Sequence, residues 1–233
     1  MTSVFKSNIL TLSKNNNFKL EIKHPKSIVF LRSLLLNDKV SIINESKSVN
    51  LCNVTFDAFE VLNLSKFLSK YDSNYKYLVH MFLSLKYQIN FLYENKMGIT
   101  FFDIDDIVVI KNKKNSTIFS FVFLNFNKVF EIQDDFLLVS KSFNKLKKTS
   151  FFSPELLTVN TIPFKVFYKC CYFSLATLIA YCIDNKQLDF LKPLDWNNDD
   201  FMKILEPIDN TKLFWSLLRC HEINPKNRFL LWI

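Results

Sequence analysis

The sequence predicts an α+β chain in two parts, a small, mostly β region over residues 1–59 and a mainly helical region over residues 60–233. Three observations predict it. Before residue 60 the apolar residues come in short runs of strand period, broken by polar stretches. From Leu62 the period lengthens to that of a helix. Within the helical part, the apolar–basic–apolar sequence from Ile107 to Leu124 has the form of a hairpin. A chain that is 49% hydrophobic and 22% charged can bury a real core, which excludes intrinsic disorder.

The elements follow in order. Phe18-Lys-Leu-Glu-Ile22 alternates as a strand, Ser27 to Leu36 reads as a short helix, and 40–43 and 54–59 read as strands. Leu64, Phe67 and Leu68 open a short helix. Leu78, Met81, Phe82, Leu85, Ile89 and Leu92 then mark one face of a long helix over residues 75–95, and Gly98 stands where its C-terminal glycine is expected. Two β-like runs, 107–110 and 118–124, flank the basic turn Lys111-Asn-Lys-Lys-Asn-Ser116. Residues 125–150 read as loop-like, Pro154 and Pro163 bracket an irregular stretch, and 167–183 read as a buried helix. Pro193, Pro207 and Asn197-Asn-Asp-Asp200 give residues 184–209 turn character, and a last amphipathic helix spans 211–221.

Composition excludes several functions. A chain of this length would ordinarily carry roughly 16 glycines, and this one carries only Gly98. A Rossmann fingerprint, a Walker A loop and a kinase glycine-rich loop each need two or more, so none is present. Phe, Lys, Asn and Ile abound, while Ala and Arg each occur three times, which marks an AT-rich coding sequence and discounts the Phe and Lys excess as functional signal. The five cysteines form no C-x-x-C pair, and Cys170, Cys171 and Cys182 lie in strongly apolar sequence. They read as buried thiols of a reducing intracellular compartment, with no metal site. No signal peptide is evident at the N-terminus, and the longest uncharged run, 170–183, is shorter than the roughly 20 residues of a membrane span. The net charge of +8 concentrates in residues 1–50 and 111–148. Clustered lysine fits a nucleic-acid backbone, but lysine as the default surface residue of an AT-rich gene is the preferred reading.

Five short motifs carry the functional signal. In order they are Gly98-Ile-Thr-Phe-Phe-Asp103, Val122-Phe-Leu-Asn125-Phe126-Asn127, Phe152-Ser153-Pro154-Glu155, Tyr172-Phe173-Ser174-Leu175-Ala176 and Asn224-Pro-Lys-Asn-Arg228. They resemble the catalytic loop, the strand into Asp-Phe-Gly, the Ala-Pro-Glu motif, the buried Trp-Ser-Leu-Gly helix and the final Asp-Pro-x-x-Arg of eukaryotic-type protein kinases. The resemblance covers residues 60–233 as a large lobe and leaves 1–59 as a reduced small lobe, a bilobal kinase-like plan. In composition the chain resembles the degenerate kinase-like products of large AT-rich DNA viruses.

The resemblance also states what is kept and what is lost. Asp103 stands at the catalytic aspartate, with Phe101-Phe102 in place of His-Arg. Phe126, Pro154, Glu155, Ser174 and Arg228 keep their places, and it implies a Glu155–Arg228 ion pair. Asn125 replaces the magnesium-binding aspartate and Asn127 the glycine. A second register places Asp106 near the second metal ligand, and the two registers stay open. Phosphoryl transfer needs a phosphate-covering loop, a paired lysine, metal ligands and a base, and no Val-Ala-x-Lys sequence appears; Lys19, Lys23 and Lys39 are merely lysines near expected strands. The expected function is a catalytically inactive kinase-like scaffold that binds a host or viral protein, with neither ATP nor magnesium expected as cofactor. The alternatives are an atypical active kinase and a basic virion or nucleic-acid-binding protein. Asp103, Asp105 and Asp106 read as a solvated acidic turn in preference to a cation site, and His80 and His221 as helix-face residues.

Overall fold

The computed structural model describes residues 2–6, 10–14, 18–22, 41–47, 52–71, 74–113, 117–140, 151–159, 161–184 and 198–232. The helix expected over 27–36 lies outside them, as do the lysine-rich stretches 23–40 and 141–150. The first five strands are β1 (Thr2–Lys6), β2 (Leu10–Lys14), β3 (Phe18–Ile22), β4 (Ser41–Lys47) and β5 (Cys52–Asp57). They form one antiparallel sheet in the order β1-β2-β3-β5-β4, in which Phe18 lies opposite Phe56 with the rings stacked 5.7 Å apart. Strand β6 (Glu60–Asn63) leads into helix α1 (Leu64–Lys70), which Asn63 caps by accepting from the Lys66 amide at 2.9 Å.

Helix α2 (Tyr75–Glu94) buries Leu78, Met81, Phe82, Leu85, Ile89 and Leu92, the face its 3.6-residue period requires. Its start is fixed by the Asn74 side chain, which accepts from the Tyr77 amide. Its end differs from the sequence reading. The left-handed residue is Lys96, at φ 57°, and Gly98 sits inside strand β7 (Met97–Ile99) without positive φ. What Gly98 supplies is space: a Cβ there would lie 2.8 Å from Leu137 Cδ2 and 3.3 Å from Ile132 Cδ1. Leu137 is fully buried, so its side chain would have to shift within the packed core. Gly98→Ala is therefore expected to cost about 1–3 kcal/mol of overpacking, more than the ~0.4–1 kcal/mol gained by restricting the unfolded chain. A lowered melting temperature is the expected reading, and a raised one would contradict the contact.

Strands β8 (Ile107–Lys111) and β9 (Ser120–Phe123) make the expected hairpin, and β6 pairs on the other side of β8 to complete a three-stranded sheet. Residues 125–139 are not loop-like. Strands β10 (Val129–Gln133) and β11 (Phe136–Val139) form a two-residue hairpin whose turn residues, Asp134 and Asp135, both hold positive φ (49° and 67°). Two left-handed residues match the twist of the strands, and Asp tolerates that conformation better than most side chains. After the short helix α3 (Pro154–Leu157), strand β12 (Phe164–Phe167) pairs with β11, so that β12-β11-β10-β7 is a four-stranded antiparallel arrangement.

Helix α4 (Cys170–Ile183) is buried on nearly every side, as an all-apolar helix must be. It begins three residues later than expected, because Phe167 still belongs to β12 and Tyr168 donates its amide to Asp135. Helix α5 (Asn198–Leu205) replaces the turn read from the acidic cluster: Asp199 and Asp200 occupy its first turn, where they complement the helix dipole. Helix α6 (Lys212–Cys220) closes the order, capped by the Thr211 hydroxyl accepting from the Phe214 amide at 3.2 Å.

The chain divides into two compact units. The first comprises residues 1–72 and 104–127, the second 73–103 and 128–233. In the first, α1 inserts Phe67 edge-on against Phe119 and Phe121. In the second, α4 packs against α2, α5, α6 and β7, and a cluster of Phe101, Phe130, Leu137, Val139, Phe152, Leu156, Val166 and Cys170 fills the space beneath the β10–β12 strands.

Candidate functional site

The residues singled out in the sequence fall in both units, and each group is built locally. In the second unit, β7 delivers the segment Thr100-Phe-Phe-Asp103. Thr100 fixes it against the residue before β10, its amide and its hydroxyl both donating to the Lys128 carbonyl, at 3.0 and 3.2 Å. Helix α4 fixes it from the other side. The Ser174 hydroxyl accepts from the Phe102 amide at 2.7 Å and stands 3.4 Å from the Phe102 carbonyl, so one side chain holds both polar groups of that residue. Phe101 and Phe102 are buried, and Phe101 packs on Phe152 with ring centroids 4.3 Å apart.

This scaffold aims Asp103 at a lysine. The Lys128 side chain is 5% exposed, with Nζ 3.7 Å from the centre of the Phe101 ring and 4.0 Å from Asp103 Oδ2, while the Asp103 side chain remains 33% exposed. A desolvated ammonium is held by the ring face on one side and the carboxylate on the other. Sequence reasoning missed Lys128. The one signal was its place directly after Asn125-Phe126-Asn127; the other lysines whose burial is described are exposed or half-buried.

In the first unit, a 3₁₀ turn over Ile104–Asp106 precedes β8. Asp105 is exposed, but Asp106 is 3% exposed, so the acidic triple is not a solvated turn throughout. The Leu124 amide donates to the Asp106 carbonyl at 2.9 Å, and this backbone tie sets the side chains together: Asn125 Nδ2 donates to Asp106 Oδ1 at 2.7 Å. Asn125 Oδ1 is buried and has no hydrogen-bond partner among the described residues. Phe126 is buried, its amide donating to the Leu124 carbonyl at 3.1 Å. Asp106 thus stands beside Asn125. The structure assigns Asp103 to a different unit from both.

The third group joins α3 to the C-terminal segment. Pro154 occupies the first turn of α3 with Glu155 after it. Both Glu155 oxygens accept from Arg228, at 2.5 and 2.9 Å, in a bidentate fork. Arg228 is fully buried and donates further to the carbonyls of Glu222, Ile223 and Lys169.

Other titratable groups are set by burial. Cys170, Cys171, Cys182 and Cys220 are free and buried, and desolvation pushes their thiols up, to about 12 for Cys220, so that reactive thiolate is scarce. His221, expected on a helix face, is instead the residue that ends α6, stacked between Phe173 and Phe201. Burial, helped by the nearby Arg228 cation, lowers its pKa to about 3, and the ring is neutral. Among the described residues no group of three or more His, Cys, Asp or Glu side chains is placed to hold a metal ion, and no described helix is long and apolar enough to cross a membrane.

No protein-family model and no curated protein sequence matches the chain. Solved structures do match. One is the autoinhibited serine kinase domain of the giant muscle protein titin, which is 11% identical, with a TM-score of 0.58 over 98% of this chain and 75% of that one. At this identity the likeness establishes the fold: the chain has a protein-kinase-like α+β fold.

Proposed function

We propose that the chain is a catalytically silent kinase-like scaffold that binds another protein. One observation carries the reading: the carboxylates that phosphoryl transfer would use are engaged by donors of the chain itself. Asp103 faces the buried Lys128 ammonium, and Asp106 accepts from the Asn125 amide. A general base must be within reach of the hydroxyl it deprotonates, and the Asp103 carboxylate is aimed instead at an ammonium of the chain itself. The frame-holding groups, Ser174 beneath Phe102 and Arg228 on Glu155, are meanwhile intact.

The side chains present do not fit magnesium nucleotide. Magnesium prefers carboxylate oxygens in near-octahedral geometry; here one carboxylate stands beside one carboxamide whose NH₂ already occupies it. The lone glycine lies in β7 and covers no phosphate. The rival reading, an atypical active kinase, draws on the same Asp106–Asn125 pair, which keeps one carboxylate and one amide together. A protein partner of host or viral origin, and a reducing compartment in which the buried thiols stay free, belong to the proposal.

Thermal denaturation with millimolar ATP, with and without magnesium, separates the two readings. A ligand at 100 times its Kd stabilises by about 2.7 kcal/mol, roughly 5–10 °C for a chain of this size. The expected result is no magnesium-dependent shift; a shift of that size would favour the enzyme.

A further inference from the structure

A strip of the second unit interleaves aromatic rings with cations. It begins on the side of the β11–β12 pair turned away from the buried Leu137 and Val166, where Phe136 and Phe167 are register partners and their rings meet edge-on at 5.6 Å. Lys165 shares that side of β12 with Phe167, because strand side chains alternate. The chain then runs toward α4, and the Lys169 ammonium reaches two rings, 5.8 Å from the centre of Phe167 and 4.8 Å from that of Phe229, while donating to the Lys226 carbonyl at 3.4 Å. Phe229 in turn donates its amide to the Arg219 carbonyl at 3.2 Å, which sets it beside the C-terminal end of α6. Trp215 stands one turn back from Arg219 on the same helix face, with Lys212 three residues before it.

Rings and cations alike are open to a ligand. Phe136, Trp215 and Phe229 are 38%, 49% and 52% exposed. Lys165, Lys212 and Lys226 are exposed, Lys169 and Arg219 half-buried, and none of the five forms an ion pair among the described residues. Single exposed rings are ordinary on a protein surface; rings that alternate with unneutralised cations are not. The nearby acids stand at the margins, Asp134 and Asp135 in the hairpin turn before Phe136 and Glu222 beyond the end of α6. Burial lowers the pKa of Lys169 even though Asp135 attracts its charge, so this cation is under-solvated and gains from an arriving anion.

A ligand that suits the strip carries repeated negative charge and flat faces at short intervals. That is the chemistry of an unpaired polynucleotide, with phosphates for the cations and bases for the rings. An acidic peptide supplies the charge without the stacking planes, and a duplex keeps its base faces inside its own stack. We propose that this strip binds single-stranded nucleic acid without reading its sequence, Phe136, Phe229 and Trp215 stacking on bases and the five cations facing phosphates. None of these cations belongs to the two lysine-rich stretches of the sequence, 1–50 and 111–148. The inference is independent of whether the chain transfers phosphate or binds a protein partner.

Fluorescence anisotropy of the full chain with a labelled oligothymidylate of about 20 nucleotides tests it. The expected Kd is on the order of 10 µM or tighter at about 50 mM salt. Five phosphate contacts predict a slope of about −3.5 in log K against log salt, roughly a hundredfold loss between about 50 and 200 mM. A duplex of the same length should bind about tenfold more weakly. Trp215→Ala and Phe229→Ala should each weaken binding about tenfold, while Trp215→Phe keeps a ring and should bind nearly as wild type. Arg219→Gln should flatten the slope by about 0.7. Both rings are exposed, so the melting temperatures of the ring variants should stay near that of wild type, which separates lost stacking from lost fold. Absence of binding at about 100 µM chain in low salt overturns the proposal. So does binding that the ring variants leave unchanged, or a duplex held as tightly as the single strand. Displacement of the oligonucleotide by poly-glutamate at equal charge overturns it too, and would assign the strip to an acidic protein.

Discussion

Glu155→Ala is expected to lower the melting temperature by roughly 10 °C, the largest effect of any single substitution outside the apolar core. The reason is an asymmetry in burial. Arg228 is fully buried, whereas the Glu155 side chain is 21% exposed. Removing the carboxylate strands a guanidinium that water cannot reach, and breaking a buried pair this way costs about 3–5 kcal/mol. At roughly 2–4 °C per kcal/mol for a chain of this length, the shift is easily read.

The reciprocal substitution fails differently. Arg228→Met leaves a carboxylate that water can partly solvate, but it also takes the donor from the carbonyls of Glu222, Ile223 and Lys169. Arg228→Lys keeps the charge and loses the fork, since one ammonium cannot span two carboxylate oxygens and three carbonyls. It should therefore recover only part of the loss. The double variant Glu155→Leu with Arg228→Met removes both charges and should be less destabilised than the sum of the single variants. A Glu155→Ala protein that melts within 2–3 °C of wild type, about 1 kcal/mol, would sink the claim that this pair holds α3 to the C-terminal segment.

That pair was legible in the sequence although its members are 73 residues apart. The kinase resemblance implied it, by setting Glu155 and Arg228 in two of its motifs, and the rarity of arginine, three residues beside 27 lysines, supported it. Helix α2 was legible because more than five helical turns of periodicity over 20 residues outweigh local noise. Some shorter elements were not. The β10–β11 hairpin turns on Asp134-Asp135 and lacks the Asn-Gly signal, and β12 has only four residues. The acids at the start of α5 resemble a turn until a helix follows them. Gly98 was misread because a glycine near a helix end is usually its left-handed terminator; here the missing Cβ serves packing against Leu137. The pairs Lys128–Asp103 and Asn125–Asp106 were invisible for another reason. Each depends on a backbone tie, Thr100 to Lys128 and Leu124 to Asp106, that side-chain pattern does not encode.

Acidification should destabilise the chain through His221, with a loss that His221→Phe abolishes. The ring is 2% exposed and lies between Phe173 of α4, centroids 4.2 Å apart, and Phe201 of α5, 3.6 Å apart and nearly parallel at 5°. A charged imidazolium there would lose its water and face the Arg228 cation, and for both reasons the folded-state pKa falls from 6.5 to about 3. The sign follows from proton uptake. Between pH 6.5 and 3 the unfolded chain binds a proton that the folded chain refuses. The contribution of His221 is thus fully present above pH 6.5 and is lost as pH falls toward 3, at up to about 1.4 kcal/mol per pH unit. From pH 7 to pH 4.5 this amounts to roughly 2–3 kcal/mol, a melting shift of about 5–10 °C. Carboxylates elsewhere also respond to acid, so the informative quantity is the difference between wild type and His221→Phe over the same interval. Phe keeps a flat ring in the stack and cannot take the proton. Parallel melting curves for the two proteins from pH 7 to 4.5 would mean that His221 is protonated in the fold, and that α4, α5 and the end of α6 do not enclose it as tightly as their packing indicates.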